Sequence, residues 1–112
     1  MKITWTPGRQ NSGYLKWTIF QTPYLDAHIL KYPPGSAIPP HKDQVSERRH
    51  YRLNIILWAA IEGGQFQCEK LIWDLPRIKL FRPDKYQHSL TKVVKGTRYV
   101  LSIGWTRKNH DK

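Results

Sequence analysis

The tripeptide His41-Lys42-Asp43 carries the clearest chemistry in this chain. On an extended strand, residues i and i+2 project to the same side. The imidazole and the carboxylate can therefore reach one ion, and together they suit a borderline divalent metal. A third ligand has to come from elsewhere, and four other histidines are available: His28, His50, His88 and His110. His110 stands in a charged tail and His50 follows Arg48-Arg49, settings that read as surface. His28 falls in mid-strand, where a structural role is the ordinary one. His88 opens a β-branched run after Phe81-Arg82-Pro83-Asp84 and is the best third ligand. Ten residues beyond it, Arg98 enters an apolar strand, where an unpaired guanidinium is costly. Either one of the chain's 8 Asp+Glu residues neutralises it, or it clamps a ligand carboxylate through paired hydrogen bonds.

These groups need a scaffold, and the chain between them reads as strands. Turn signals fall at Pro7-Gly8, Asn11-Ser12-Gly13, Pro33-Pro34-Gly35, Pro39-Pro40, Gly63-Gly64, Pro83-Asp84 and Lys95-Gly96. Short β-branched and aromatic segments lie between them: 24–32, 51–60, 65–69, 77–81, 88–94 and 98–105. Many short strands at regular spacing predict a sandwich or barrel. Residues 13–20 fit either a strand or a helical turn. In the last segment Arg98, Val100, Ser102 and Gly104 share one face, and Tyr99, Leu101, Ile103 and Trp105 the other. In the segment from Tyr51, the residues Arg52, Asn54 and Ile56 oppose Tyr51, Leu53, Ile55 and Leu57. The partly polar faces suit either water or the lining of a pocket.

Composition sets the outer limits. A chain of 112 residues suits one domain that buries roughly two-thirds of its unfolded surface. A hydrophobic content of 39% with 12% aromatics argues against a disordered basic tail. No apolar run approaches the roughly 20 residues that span a bilayer, and the first residues lack a secretory h-region. Cys68 stands alone, which excludes an internal disulfide and fits a reducing compartment. A soluble, cytoplasmic domain is the expectation. The net charge of +11 attracts anions over a Debye length, yet no block of five or six like charges forms a basic arm. A solubilising surface and a nucleic-acid-facing one are both compatible with it.

Four landmarks in order resemble the Fe(II)- and 2-oxoglutarate-dependent oxygenase superfamily, and most of all its prolyl-hydroxylase-like branch, which includes the hypoxia-sensing enzymes. They are Tyr32-Pro33-Pro34-Gly35 ahead of His41-x-Asp43, Arg52 opening a strand that leads to Gly63-Gly64, then His88, and finally Arg98-Tyr99-Val100-Leu101-Ser102. The match spans residues 24–105. The resemblance implies an all-β double-stranded β-helix, a jelly-roll or cupin-like barrel of two antiparallel sheets. The His41/Asp43 strand would lie beside the His88 strand in one sheet. Segments 24–32, 51–59 and 98–105 would be neighbours in the other, with Lys95-Gly96 at the corner between sheets. It also implies that Tyr32, Arg52, Asn54, Arg98 and Ser102 face the cavity.

The implied cofactors are Fe(II) held by His41, Asp43 and His88, the cosubstrate 2-oxoglutarate, and O2. Arg98 would hold the distal carboxylate of 2-oxoglutarate with Ser102 as a weaker assistant, and Tyr32 would donate to its metal-bound end. Arg52 and Asn54 would either help there or pair with an acidic neighbour. The branch usually carries a second tyrosine where this chain has Trp58-Ala59-Ala60, so the distal clamp rests more heavily on Arg98. The chain is short for the family, which suggests a minimal, phage-borne version. The family's sheet is normally backed by N-terminal helices. Here residues 1–23, through Trp5, Tyr14, Trp17 and Ile19, are expected to cover part of the outer face, with a homodimer taking the remainder. The implied activity is hydroxylation of a protein or peptide side chain. Oxidation or demethylation of nucleic acid is a second reading, and a non-catalytic basic β-barrel that binds nucleic acid a third. Glu47, Arg48 and Arg49, just beyond His41-x-Asp43, are the expected substrate-contacting segment.

Overall fold

The computed structural model describes residues 4–8, 12–43 and 48–108, and among them every regular element is a strand. The strands are β1 (Thr6–Pro7), β2 (Leu15–Gln21), β3 (Leu25–Tyr32), β4 (Ile38–His41), β5 (Arg48–Trp58), β6 (Glu62–Gly63), β7 (Phe66–Cys68), β8 (Trp73–Asp74), β9 (Ile78–Phe81), β10 (His88–Leu90), β11 (Val93–Lys95) and β12 (Arg98–Lys108). The major sheet runs β1-β2-β3-β12-β5-β9-β8, the minor sheet β4-β10-β7, and β11 pairs with β6 in a two-stranded ribbon. Every pairing is antiparallel. The result is a double-stranded β-helix, with β3, β12 and β5 side by side in one sheet and β4 beside β10 in the other. No helix among the described residues is long and apolar enough to cross a membrane.

Alternation decides which side chains meet inside. Along β12 the burial pattern strictly alternates from Arg98 to Trp105, with Arg98, Val100, Ser102 and Gly104 buried. Residues paired across antiparallel strands point the same way. The register Arg98↔Tyr32, Ser102↔His28 and Gly104↔Asp26 therefore places those β3 residues on the inner face. On the other side, Ser102↔Asn54 and Gly104↔Arg52 do the same for β5. Tyr32, Leu90, Val93 and Val100 form the apolar core, packed by Tyr14, Leu30, Ile38, Ala60 and Phe66. Burying each such aliphatic or aromatic side chain contributes about 1.5–3 kcal/mol.

The N-terminal segment sits otherwise than the sequence predicts. Residues 15–21 are a strand, and β2 hydrogen-bonds edge to edge with β3 rather than lying across the sheet's outer face. Adding to an open edge satisfies the backbone groups of both strands, which a segment laid over a sheet face does not do. Tyr14 is on the cavity side, with its ring 5.1 Å from that of Tyr32. Trp17 extends the outer face in register with Ile29, and Ile19 falls at a bulge and is exposed. Leu53, Ile55, Leu101, Ile103 and Trp105 are consequently half-exposed on that face, and Leu57 is exposed.

The Gly63-Gly64 turn is held by sterics that only glycine meets. Gly63 has φ +76°, and a Cβ there would stand 2.1 Å from the Lys92 carbonyl oxygen. Gly35, at φ +94°, has open space around it. Gly63→Ala should therefore destabilise the fold by at least about 1–3 kcal/mol and by more than Gly35→Ala, measured by urea denaturation.

Candidate metal centre

β4 and β10 bring the three predicted ligands together. His41 closes β4 and His88 opens β10, and the two are directly paired in the minor sheet. Asp43 follows two residues after His41, and its backbone N–H donates to Pro83 O at 2.7 Å, which anchors it beside the pair. Ligand atoms of His41, Asp43 and His88 all lie within 4.8 Å of one another. The Asp43 carboxylate spans the gap, with Oδ1 3.4 Å from His41 Nε2 and Oδ2 3.4 Å from His88 Nε2.

The opposite ring nitrogens are already directed. His41 Nδ1 lies 2.8 Å from Pro39 O, and His88 Nδ1 lies 3.2 Å from Tyr86 O. A carbonyl accepts only from an N–H, so both Nδ1 atoms carry a proton, and Nε2 of each ring is the nitrogen that faces Asp43 and is placed to ligate. Two neutral imidazoles and one carboxylate converging on a point make a donor set that fits a divalent transition metal.

The triad opens on a cavity of about 410 Å³ between the two sheets. All five residues expected to face it, Tyr32, Arg52, Asn54, Arg98 and Ser102, line its wall. Arg98 is only 5% exposed. Its Nη1 donates to Gly64 O at 3.2 Å, and its Nε is buried without any hydrogen-bond partner among the described residues. Burial lowers the Arg98 pKa from its ordinary value, and the neighbouring Tyr32 opposes that shift. Burial, reinforced by Tyr14, raises the Tyr32 phenol well above its usual range, so it stays a proton donor.

The other expected residues hold one another. Arg52 gives Nη2 to both Asp26 oxygens, at 2.9 and 3.2 Å, and Nη1 to Ser102 Oγ at 2.8 Å. Ser102 passes its own proton to Asn54 Oδ1 at 2.7 Å. Its single proton is thereby committed, so the expected assistance of Ser102 to a carboxylate clamp does not match its geometry. Gly104 makes the arrangement possible, because a Cβ there would lie 2.1 Å from Arg52 Nη2. Sequence reasoning missed Asp26; its same-face spacing with His28, Leu30 and Tyr32 was the available signal, but a lone acid in an apolar strand does not announce its partner.

His50 also departs from its surface reading. It lines the cavity, since β5 alternation puts it on the face of Arg52 and Asn54. Its backbone N–H donates to Asp84, which is also paired with Arg82. His28 bonds Thr18 Oγ1 through Nδ1 at 2.9 Å and faces Asp26 through Nε2 at 3.3 Å, a structural role. Cys68, in register with His88, is half-buried and donates to Lys70 O. Of the expected substrate segment, Arg48 binds the Thr106 hydroxyl and carbonyl, Arg49 is half-buried, and Glu47 lies outside the described residues, as does His110 of the tail.

No family model and no curated relative matches this chain. Solved structures do. A prolyl-4-hydroxylase from Pseudomonas putida aligns with a TM-score of 0.69 at 18% identity, covering 95% of this chain and 78% of that one. The cupin domain of Schizosaccharomyces pombe Cnp3 aligns at 0.64 and 13% identity, covering 94% and 69% respectively. The fold is the cupin fold. KdgF from a Halomonas species shares it, with a TM-score of 0.61 at 18% identity over 94% of this chain and 89% of that one. The cupin frame joins β4 and β10, the strands that carry the two histidines.

Two outcomes are expected. His88→Ala and Asp43→Ala should each weaken binding of a divalent transition metal more than about 100-fold, beyond the 10–100-fold typical of losing an outer partner, as read by anaerobic calorimetry. Burial, followed by the charge of Arg52, lowers the His50 pKa from 6.5, against the opposing pull of Asp43, Asp26 and Asp84. Burial likewise lowers that of His28. Below about pH 6.5 the unfolded chain binds protons that the folded one refuses, so stability falls as pH drops. Urea midpoints at pH 7.5 and 5.5 should show that fall, and His50→Gln should reduce it.

Proposed function

We propose that this chain is an Fe(II)- and 2-oxoglutarate-dependent dioxygenase. The observation that carries the reading is Arg98, a buried guanidinium with an unpartnered Nε on the wall of the cavity that holds the His-Asp-His triad. Elsewhere in the cavity wall the cation Arg52 is neutralised by Asp26. Among the described residues Arg98 is given a carbonyl and no carboxylate, so a ligand carboxylate would supply the counter-charge.

Loaded with Fe(II) and 2-oxoglutarate, such a centre couples O2 to decarboxylation of the diacid, giving succinate and CO2, while a substrate C–H becomes C–OH. His41 and His88 would present Nε2 lone pairs to the metal, with their tautomers held by Pro39 O and Tyr86 O. Asp43 would supply the one negative ligand. Arg98 would fix the distal carboxylate through Nε and its remaining N–H groups, while Gly64 O keeps the guanidinium plane in place. Tyr32, directly opposite Arg98 across the β3–β12 ladder, would donate its phenol proton to the same cosubstrate. Val100, Leu30 and Phe66 exclude water from that end of the cavity.

Anaerobic titration of the protein with Fe(II) and then 2-oxoglutarate should produce the metal-to-ligand charge-transfer band of the chelate. Arg98→Ala should weaken 2-oxoglutarate binding about 10- to 100-fold, the loss of one charge-assisted pair of about 1.5–3 kcal/mol. An Arg98→Ala protein that binds 2-oxoglutarate as tightly as the parent would overturn the assignment, as would the band's absence in the parent.

A further inference from the structure

The side of the major sheet that faces away from the cavity is apolar across six strands, and the register shows how far. Trp17, Ile29, Leu101, Ile55 and Ile78 pair in one row across β2, β3, β12, β5 and β9. Phe20, Ala27, Ile103, Leu53, Leu80 and Trp73 form the next row, which reaches β8. Neither row contains a charged residue. Ala27 and Leu80 are buried, and the rest are half-exposed or exposed. At a strand spacing of about 4.8 Å and a rise of about 3.4 Å per residue, this face covers about 500 Å² in plan. A patch of about 300–600 Å² is the largest that a single chain ordinarily shows, and it is often functional. Exposed Leu25 and Trp58 extend the face at its borders, toward the roughly 800 Å² of accessible surface that each partner gives to an interface of standard size.

The two ends of the face differ. At one end Trp105 and Tyr51 stack at 5.9 Å, and the same alternation continues to Arg107 and Arg49, directly opposed on β12 and β5. At the other end Tyr99 is opposed by Trp58, which is 69% exposed. Lys31, beside Tyr99 on β3, lies 5.6 Å over the Trp5 ring. One end is therefore cationic, the other offers aromatic rings, and the uncharged middle is complementary to itself.

We propose that this face is the interface of a homodimer, made by a second copy of the chain turned about a twofold axis that runs across the strands along the Ile103 row. An axis along the strands would bring the arginines of one copy onto those of the other. The crosswise axis instead seats Ile103 against Ile103 and Leu101 against Trp105. It also carries the Arg49–Arg107 end of each copy over the Tyr99–Trp58 end of the other, where a guanidinium is attracted to a ring face. Sheets with nearly aligned strands pack about 10 Å apart with their side chains interdigitated. The cavity lies on the opposite side of each major sheet, so both metal centres stay open to substrate.

Sedimentation equilibrium of the whole chain over about 1 to 100 µM should show a species of twice the 13.3 kDa chain mass. Leu101→Lys places an unpaired ammonium in the apolar middle and should weaken the dimer at least about 100-fold, while divalent-metal binding at parental strength shows that it is folded. Trp58→Ala, at an exposed position, should weaken it about tenfold and keeps the test open if the lysine variant does not fold. The axis has its own readout in a Cys68→Ser background. Ile103→Cys should link to its own copy under air faster than Arg107→Cys, although position 107 is the more exposed. Single-chain mass at every concentration, whatever other protein or membrane then takes the face, would overturn the proposal. So would a dimer of parental strength in both variants, or faster linking through Arg107→Cys.

Discussion

A guanidinium removed from water with one carbonyl for company is the constraint around which this barrel is organised. Burying a cation costs several kcal/mol unless opposite charge or a full set of acceptors compensates. Among the described residues Arg98 receives neither, its one hydrogen bond going to Gly64 O. The surrounding fold over-determines its position. β12 is hydrogen-bonded on both sides, the β3 partner of Arg98 is Tyr32, and Val93 and Val100 fill the space beneath. A protein keeps a charge in such a place when the cost is recovered on binding, which is why the guanidinium speaks to the ligand more than the metal ligands do.

The same sheet shows the contrasting solution. Level with Gly104, six positions along β12 from Arg98, Arg52 meets both Asp26 oxygens, Ser102 and, at 3.4 Å, His50. That network is locally satisfied and lines the same cavity as the triad. The cavity wall thus carries both a positive charge without a counter-charge among the described residues and the metal-binding donors. A short diacid that chelates at one terminus and is clamped at the other matches such a layout.

Much of this was legible in the sequence because it depends on period-two alternation and motif order. Alternation from Arg98 to Trp105 separated the two faces of β12, the family resemblance implied which of them lines the cavity, and His41, Asp43 and His88 were expected to share an ion, a convergence that the fold provides. What was hidden depended on register and on which side of an edge a segment joins. His50 looked superficial because two arginines precede it, yet a single step of alternation turns it inward. Residues 13–20 could have been strand or helix, and only the open edge of β3 decides for β2. Ser102 was placed on the correct face, but which neighbour receives its proton depends on Asn54 one strand away.

Gly104 deserves a last physical reading. Its missing side chain is a notch in β12, into which the Arg52 head group lies to reach Asp26 across the intervening strand. Positions 104 and 52 are therefore one steric unit read from two strands. A homologue or a redesigned barrel with a larger residue at 104 must shorten the side chain at 52, and Asp26 then loses its counter-charge. Reshaping the cavity to admit a bulkier guest is thus a three-residue problem, with substitutions along that row of the sheet changing together.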